Sequence, residues 1–393
     1  MTEETRMTAV DPSVGADDGQ SLDLCTGRSI TEEDEENKSF EEMQRELFQM
    51  ADPSYLKTIS MTELFDSVYE GRPPVIDGLL YRGMYLFVGA PKMGKSFLMG
   101  QIAYHVSTGT PLWGFPVRQG TVLYLALEDD FGRLQERLYR MFGTAENGNL
   151  FFSVSAKQLG NGLDEQLTRF LREHPDTSLI IIDTLQKVRE VGGDNYSYAN
   201  DYQIITRLKT FADAYGICLM VVHHTRKQKS DDAFDMISGT NGLMGAADGA
   251  FLLQKEKRTG SAATLEVSGR DQQDQRLYLL RNEEKLCWEL DHVECELWKS
   301  EVDPLVEQVG QLMRAELPEW EGSASELVEK LGLDNGPNIL TRKLNVNART
   351  LHDQYGIEYS SRHTRDGSRI KLKRMPGKCD DGDGCDGIIE GAK

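Results

Sequence analysis

The sequence has no apolar run near the roughly 18 residues that a membrane-spanning helix requires. Its longest apolar stretches, around residues 180–182 and 217–222, have the length of buried strands. The N-terminus also lacks a basic segment followed by an apolar one, the pattern of a secretory signal. We therefore expect a cytoplasmic protein without a membrane partner.

Paired cysteines are missing as well. The six cysteines form no CxxC pair, so we expect reduced thiols and no zinc site. The apolar fraction of 39%, the charged fraction of 27% and the 37 glycines are ordinary for a globular protein and exclude collagen, a coiled coil or a wholly disordered chain. The length of 393 residues allows two or three domains.

Positive charge is scarce, and the formal net charge of −20 argues at first against a nucleic-acid partner. Its distribution weakens that argument. Residues 1–50 hold 14 acidic against 4 basic residues, whereas residues 338–374 hold 9 basic against 3 acidic residues. We therefore expect a basic C-terminal module between two acidic, disordered flanks, the leader 1–55 and the tail 376–393.

Residues 83–254 alternate short, continuously apolar runs with amphipathic stretches, which is typical of β-α units around a parallel sheet covered on both faces. Strands are predicted at 84–88, 121–127, 150–154, 179–183 and 217–223, and helices at 95–106, 131–142, 163–173 and 201–215. From 250 to 290 strand follows strand, which predicts an antiparallel extension. The predicted fold class is α/β, with one domain over residues 56–300.

The segment 301–375 has a different pattern. Helices are predicted at 305–315, 324–331, 337–344 and 347–355, followed by a basic hairpin at 357–360 and 368–374. Helices followed by a basic hairpin indicate a small winged-helix-like domain.

The strongest motif is GAPKMGKS, which fits the pattern G-x-x-x-x-G-K-[ST] at every fixed position and lies between a predicted strand and a predicted helix. Its glycines let backbone N–H groups surround phosphates, Lys95 should reach the β- and γ-phosphates, and Ser96 should hold Mg²⁺. The predicted nucleotide-binding residues are Gly89, Ala90, Pro91, Lys92, Met93, Gly94, Lys95, Ser96 and Phe97. ATP and Mg²⁺ are the expected cofactors.

Two further strands are predicted to end in carboxylates. Asp183 ends the run LIIID, where ligands of open α/β sheets gather, and is the second expected Mg²⁺ ligand; capping of the turn is the alternative. Glu128 follows the run VLYLAL, and we assign it the role of orienting and deprotonating the attacking water, on a strand expected beside that of the phosphate loop. Asp129 or Asp130 should cap the next helix. A solvated cap formed by all three carboxylates is the alternative to the role of Glu128.

A histidine pair, His223 and His224, ends the following strand. Adjacent strand residues point to opposite faces, so a shared metal is not expected. We favour a sensor of the γ-phosphate, with His224 preferred over His223; histidines satisfied within the core are the alternative.

Taken in order, GAPKMGKS, LALEDD, LIIIDT and VVHHTRK resemble the RecA-like P-loop ATPases, and within them the plasmid RepA-type hexameric helicases. The resemblance covers about residues 75–290. It implies ATP between subunits of a homo-hexameric ring, single-stranded DNA through its centre, and catalytic roles for Lys95, Glu128, Asp183 and the histidine pair. The segment 237–242 is similar to the small-residue turn of that family.

The sequence departs from the family at the arginine that reaches into the neighbouring ATP site, because residues 243–251 contain no arginine. We predict that Arg270 replaces it, with Lys257 or Arg258 as second choices. A surface arginine paired with Asp271 is the alternative interpretation of Arg270.

The resemblance to RecA-like rings implies that two polar loops, 187–198 and 226–235, line the DNA channel. Plain mobile surface loops are the alternative. The residues predicted to contact DNA there are Arg189, Tyr196, Tyr198, Lys227 and Lys229. In the C-terminal module, duplex DNA is the expected partner of Arg342, Lys343, Arg349, Arg362, His363, Arg365, Arg369 and Lys371. Protein docking is the alternative for that module.

These patterns predict an ATP-dependent DNA motor, a replicative helicase of a plasmid, phage or integrative element. Two alternatives remain open at this point: a RecA-like recombination or repair ATPase, and a regulatory DNA-binding ATPase without processive unwinding.

Overall fold

The computed structural model describes residues 20–22, 29–31, 48, 52–56, 58–69, 73–189, 198–224, 242–255, 260–270, 272–295, 303–315, 318–364 and 367–375. They fall into two compact units. One comprises Arg72–Lys299, and the other combines Met1–Gly71 with Ser300–Lys393. Residues 56–71, which we had assigned to the α/β domain, thus group with the C-terminal segment.

The unit Arg72–Lys299 is built on one nine-stranded sheet. Its strands are β3 (Gly83–Gly89), β4 (Thr121–Ala126), β5 (Leu150–Ser153), β6 (Thr177–Asp183), β7 (Cys218–His224), β8 (Gly249–Gln254), β9 (Ala262–Gly269), β10 (Gln272–Arg281) and β11 (Trp288–Cys295). Two shorter strands, β1 (Gln20–Leu22) and β2 (Ser29–Thr31), pair antiparallel in the leader, where no strand was expected.

The strand order in the large sheet is β11-β10-β9-β8-β3-β7-β6-β4-β5. The six strands from β8 to β5 run parallel, and β9, β10 and β11 extend the sheet antiparallel, which confirms the α/β prediction. Our expectation that Glu128 follows the strand beside that of the phosphate loop was wrong, since β7 and β6 lie between β3 and β4. Strand order depends on chain crossovers, which local sequence does not encode.

Helices cover both faces of this sheet. They are α2 (Lys95–Thr108), α3 (Phe131–Phe142), α4 (Leu163–Glu173), α5 (Leu185–Val188), α6 (Tyr198–Tyr215) and α7 (Gly242–Ala246), after the helix α1 (Met61–Asp66) of the other unit. In β6, Leu179 and Ile181 join one core and Ile180 and Ile182 the opposite core. A strand buried on both faces favours apolar residues at consecutive positions, which explains the run 179–182.

The C-terminal unit has its own apolar core, formed around Val306, Leu340, Leu351 and Ile370. Its further elements are α8 (Pro304–Ala315), β12 (Glu319–Ser323), α9 (Ala324–Leu331), α10 (Pro337–Val346), α11 (Ala348–Tyr355), β13 (Ile357–Thr364) and β14 (Gly367–Arg374). The last two strands form a hairpin, and β12 pairs with β14 to complete a three-stranded sheet.

Asn345 connects helix α1 to the C-terminal helices and hairpin of the same unit. Its Nδ2 atom donates to the carbonyl of Phe65, while its Oδ1 atom accepts from Tyr359 and Ser361. A buried amide with donors and acceptors both satisfied adds specificity without the cost of an unpaired polar group. The bond from Arg342 to Asp66 (2.9 Å) strengthens the same contact. Within the residues described, no helix is long and apolar enough to cross a membrane.

Candidate functional site

The loop between β3 and α2 has the backbone that its glycines permit. Gly94 adopts a φ of 96°, in the left-handed region that favours glycine. A Cβ atom at Gly89 would lie 2.8 Å from the carbonyl oxygen of Leu253, so a side chain there would displace the backbone. The loop therefore needs glycine at both positions, and it leads directly into the N-terminus of α2.

Lys95, the first residue of α2, is buried within the loop. Its ammonium donates to the carbonyls of Gly89 (2.8 Å) and Ala90 (3.0 Å) and to His224 Nδ1 (3.0 Å). Burial lowers the pKa of Lys95 to about 8, although Asp183 and Glu128 act in the opposite direction. A desolvated cation held by three neutral acceptors is well suited to receive an anionic phosphate.

Asp183, the last residue of β6, is buried, and its carboxylate accepts hydrogen bonds from two hydroxyl groups. Tyr124 donates from β4 to its Oδ2 atom at 2.9 Å, and the Ser96 hydroxyl is hydrogen bonded to the same carboxylate. Burial raises the pKa of Asp183, and these hydrogen bonds oppose the rise. The peptide bond between Asp183 and Thr184 is cis.

Glu128 is exposed beyond the end of β4, and its Oε1 atom accepts a hydrogen bond of 3.2 Å from Thr184 Oγ1. It is thereby oriented next to the Asp183 end of β6. Asp130 caps α3 through the backbone N–H of Arg133, whereas Asp129 forms an ion pair with Arg137 at 2.7 Å. Of the three consecutive carboxylates, Glu128 is thus the one that neither caps α3 nor pairs with arginine.

His224 lies at the phosphate loop because β7 is the direct neighbour of β3, with Gly89 opposite His224 in the register. Burial, and then the nearby Lys95, lower the pKa of His224. Since Nδ1 accepts from the ammonium, the neutral ring carries its proton on Nε2. His223 is buried in the sheet. Among the described residues no cluster of three or more His, Cys, Asp or Glu side chains could hold a metal ion.

The residues present fit a nucleotide with Mg²⁺. The loop supplies a buried cation whose hydrogen-bond acceptors are all neutral, a helix N-terminus and a glycine cradle, and Ser96 with Asp183 supplies one hydroxyl and one carboxylate. Mg²⁺ takes few protein ligands and completes its shell with phosphate oxygens and water, so this pair is sufficient. Lys95, Ser96, Asp183, Glu128 and His224 all meet at the carboxyl edge of the parallel strands.

Arg270 lies elsewhere. It follows β9 at Gly269, which pairs with Gly249 at the start of β8, and so occupies the edge of the sheet opposite the phosphate loop. Its guanidinium donates to the carbonyl of Gly245 at 3.0 Å. Arg270 does not contact the site of its own subunit, and its role across an interface stays a prediction. Lys257, Arg258 and Asp271 lie outside the described residues.

The last strand of the predicted antiparallel extension packs against the phosphate loop, a contact that sequence reasoning missed. Trp288 in β11 is fully buried, and its Cζ2 atom lies 3.1 Å from the position of a Cβ on Gly94. The Gln101 side chain fixes Trp288 by binding both its backbone N–H and its carbonyl, each at 2.8 Å. A buried tryptophan in an otherwise amphipathic strand was the available signal.

Three of the five loop residues predicted to contact DNA lie outside the described residues. Arg189 forms an ion pair of 2.6 Å with the buried Asp201, which makes it part of the fold rather than a free channel cation. Tyr196, Lys227, Lys229 and residues 237–241 lie outside the described residues, and only the backbone of Tyr198 is described.

In the C-terminal unit, five of the predicted DNA-binding cations are paired with carboxylates. The pairs are Arg342 with Asp66, Lys343 with Asp303, Arg349 with Asp353, Arg369 with Glu321, and Lys371 with Glu319. His363 and Arg365 are not described at the side-chain level. The excess positive charge of residues 338–374 is therefore partly neutralised by acidic neighbours within the same unit.

The sheet order, the phosphate loop and the polar residues at its edge define the class: the unit Arg72–Lys299 has the fold of a RecA-like P-loop ATPase. Residues 50–230 match the family model of the AAA domain, which covers less than half of the chain. No curated protein matches the sequence.

Solved structures with a similar fold include the ATPase domain of a phage protein (TM-score 0.45, 16% identity, 64% of this chain and 99% of that chain). A DnaB-like replicative helicase, solved in a study of its interactions with primase, has a TM-score of 0.46 at 16% identity, over 65% of this chain and 73% of that one. A KaiC-like protein of Pyrococcus horikoshii has a TM-score of 0.41 at 11% identity, over 57% of this chain and 99% of that one. At scores this low, these likenesses add no argument to the assignment.

Proposed function

We propose that this protein is an ATP-dependent DNA motor, a RepA-type replicative helicase of a plasmid, phage or integrative element. In this proposal it works as a homo-hexamer that hydrolyses ATP at subunit interfaces and moves along single-stranded DNA. The observation that supports it most is the gathering of Lys95, His224, Glu128 and Asp183 at one edge of the sheet.

Each of these residues has a role that follows from its surroundings. Lys95 binds the β- and γ-phosphates, since its ammonium is desolvated and has only neutral acceptors. Glu128, oriented by Thr184 and exposed to solvent, takes the proton of the attacking water. When bound beside Ser96 and Asp183, Mg²⁺ neutralises charge that develops on the phosphate oxygens.

His224 is the residue that senses the γ-phosphate. It shares the Lys95 ammonium with the loop carbonyls, so a change in the position of Lys95 changes the hydrogen bonding of the ring. β7 ends at this histidine, and the chain continues from it into the loop predicted to contact DNA. The change in hydrogen bonding that follows loss of the γ-phosphate would thereby be transmitted to the predicted DNA-binding loop through His224.

The experiment is steady-state ATP hydrolysis with and without single-stranded DNA, combined with light scattering in the presence of ATP. Lys95→Ala should remove turnover, whereas Arg169→Ala, which changes only an exposed pair on α4, serves as the control. Turnover that rises with DNA in a ring-sized particle supports the motor. Turnover indifferent to DNA from a particle that stays monomeric contradicts it.

For the C-terminal unit we propose a winged-helix-like fold that binds duplex DNA. The order of α8, β12, α9, α10, α11 and the β13–β14 hairpin supports this fold. Five carboxylate pairs across this unit favour the second candidate, protein docking in a regulatory ATPase without unwinding. Fluorescence anisotropy with duplex DNA distinguishes the two candidates. The double variant Arg369→Ser with Lys371→Ser should weaken DNA binding in a salt-dependent manner. Unchanged DNA binding contradicts the DNA proposal.

A further inference from the structure

Two cations that the catalytic scheme does not use lie at the same edge of the sheet as the phosphate loop. Lys255 directly follows β8, whose Leu253 pairs with Gly89 at the end of β3. Arg281 ends β10, where it is the register partner of Trp288. The Trp288 ring in turn packs against Gly94 of the phosphate loop.

Arg281 is held between aromatic rings. Its guanidinium carbon lies 4.5 Å from the centre of the Phe97 ring and 5.9 Å from that of Trp288. Its Nη1 atom is 3.6 Å from the position of a Cβ on Gly94. Its Nε atom is buried and has no hydrogen-bond partner among the described residues. A flat cation fixed against two rings keeps its donors oriented at little entropic cost.

Lys255 lies close to Arg281 although both are positively charged. Its ammonium is 5.3 Å from the centre of the Trp288 ring and donates to the carbonyl of Gly260 at 3.0 Å. Burial and the neighbouring Arg281 lower the pKa of Lys255. By contrast Arg137, which also lies over Phe97, is neutralised by Asp129. Burial and then Arg140 lower the pKa of Arg281, and Glu283 only partly opposes them. Among the described residues no ion pair neutralises Lys255 or Arg281, so the two cations are suited to an anionic ligand.

The position of Phe97 indicates which part of the nucleotide lies nearby. The γ-phosphate end of the site is marked by Lys95 and His224, whereas the loop backbone and the first turn of α2 bind the α- and β-phosphates. Phe97 belongs to that first turn, and Arg281 covers its ring. The two cations thus lie on the α-phosphate side.

We propose that Arg281, with Lys255 beside it, binds the α-phosphate side of a nucleoside di- or triphosphate held by the same subunit. The inference rests on the proposed ATPase function. It adds a cation that recognises the nucleotide irrespective of the γ-phosphate, unlike the trans-acting arginine and unlike His224.

The test is equilibrium titration of the full-length protein with fluorescent ADP and ATP analogues. Arg281→Gln should lower the affinities for ADP and ATP by the same factor, roughly tenfold or more. The reason is that a charge-assisted phosphate contact is lost from both complexes. Inorganic tripolyphosphate, used as a competitor, should lose affinity in parallel. The matched control is Arg276→Gln on the same strand, which removes exposed contacts with Glu266, Glu294 and Tyr278 away from the loop and should leave both affinities unchanged.

Three results would overturn the inference: unchanged affinities for both nucleotides, a loss confined to ATP, or a loss for nucleotides without any change for tripolyphosphate. A purely structural role would move the melting temperature and the tryptophan fluorescence of the nucleotide-free protein together with the affinities. Lys255→Gln provides a second variant if Arg281→Gln fails to fold, and it should weaken ADP and ATP equally as well. If the wild-type protein binds no nucleotide at all, the proposed function itself fails; if Lys95→Ala abolishes binding while both glutamine variants bind normally, only this inference fails.

Discussion

The Lys95 ammonium donates a hydrogen bond of 3.0 Å to the Nδ1 atom of His224. The two residues come from neighbouring strands, β3 through the phosphate loop and β7 through its last residue. Their contact places the cation that we propose binds phosphate next to an imidazole, and burial lowers the pKa of both groups.

A pH dependence of nucleotide affinity follows from Lys95. Without nucleotide the ammonium loses its proton as the pH rises through about 8, while bound polyphosphate favours the charged form. The association constant for a fluorescent ATP analogue should therefore fall above about pH 8, by up to about tenfold per pH unit. Titrations between about pH 7 and pH 9.5 measure this. Lys95→Arg, whose guanidinium stays charged, should flatten the profile, and a flat wild-type profile contradicts the prediction.

The lowered pKa of Lys95 has the opposite effect on folding: it makes the free energy of unfolding rise with pH. The unfolded chain holds the Lys95 proton up to the ordinary pKa of 10.5, whereas the nucleotide-free folded protein releases it near 8. Since the unfolded state binds more protons between these values, this group's contribution to the free energy of unfolding increases with pH across that window.

The bond from Tyr124 to Asp183 should be visible in stability. Tyr124→Phe keeps the ring and removes a buried donor, so the free energy of unfolding should fall by about 1 kcal/mol. Asp183 then has one donor fewer, its pKa rises further, and the Mg²⁺ concentration for half-maximal ATP turnover should increase. Urea unfolding and Mg²⁺ titration measure the two effects. Tyr139→Phe, at an exposed tyrosine of α3, is the control and should change neither.

Gln101 is expected to hold β11 against α2. Gln101→Ala leaves the buried N–H of Trp288 without its acceptor, while Trp113 Nε1 still donates to the Trp288 carbonyl at 2.7 Å. The variant should lose about 1–3 kcal/mol of stability, measured by chemical unfolding followed through tryptophan fluorescence. Gln135→Ala, at an exposed position of α3, should stay within about 0.5 kcal/mol of the wild type. Equal stabilities for the two variants would refute the role of Gln101.

Much of the fold was accessible from local sequence. Helix α3 has the predicted bounds because Asp130 caps its start and Gly143, at a φ of 71°, follows its end. Helix α2 runs beyond the predicted Val106 to Thr108, where Gly109 in the left-handed region ends it. The run 179–182 within β6 was recognised because four consecutive apolar residues before Asp183 fit a strand buried on both faces.

Other features depend on distant parts of the chain. The preference for His224 over His223 is in keeping with the register of β7 against β3, which sequence alone does not fix. The contact of Trp288 with Gly94 joins residues 194 positions apart, and it brings Arg281 and Lys255 to the loop along with it. The acidic neighbours of the C-terminal cations come partly from Asp66, which no local pattern connects to Arg342.

The most direct test of the account is ATP hydrolysis by Glu128→Gln, measured as phosphate release in a single turnover. In the proposed mechanism Glu128 takes the proton of the attacking water but does not hold the phosphates, so the variant should bind the ATP analogue as tightly as the wild type. It should hydrolyse ATP at least about 100-fold more slowly. Glu136→Gln, on the exposed face of α3, is the matched control and should retain wild-type turnover. Undiminished hydrolysis in Glu128→Gln would contradict the account, because the site would then lack the base on which the proposed mechanism depends.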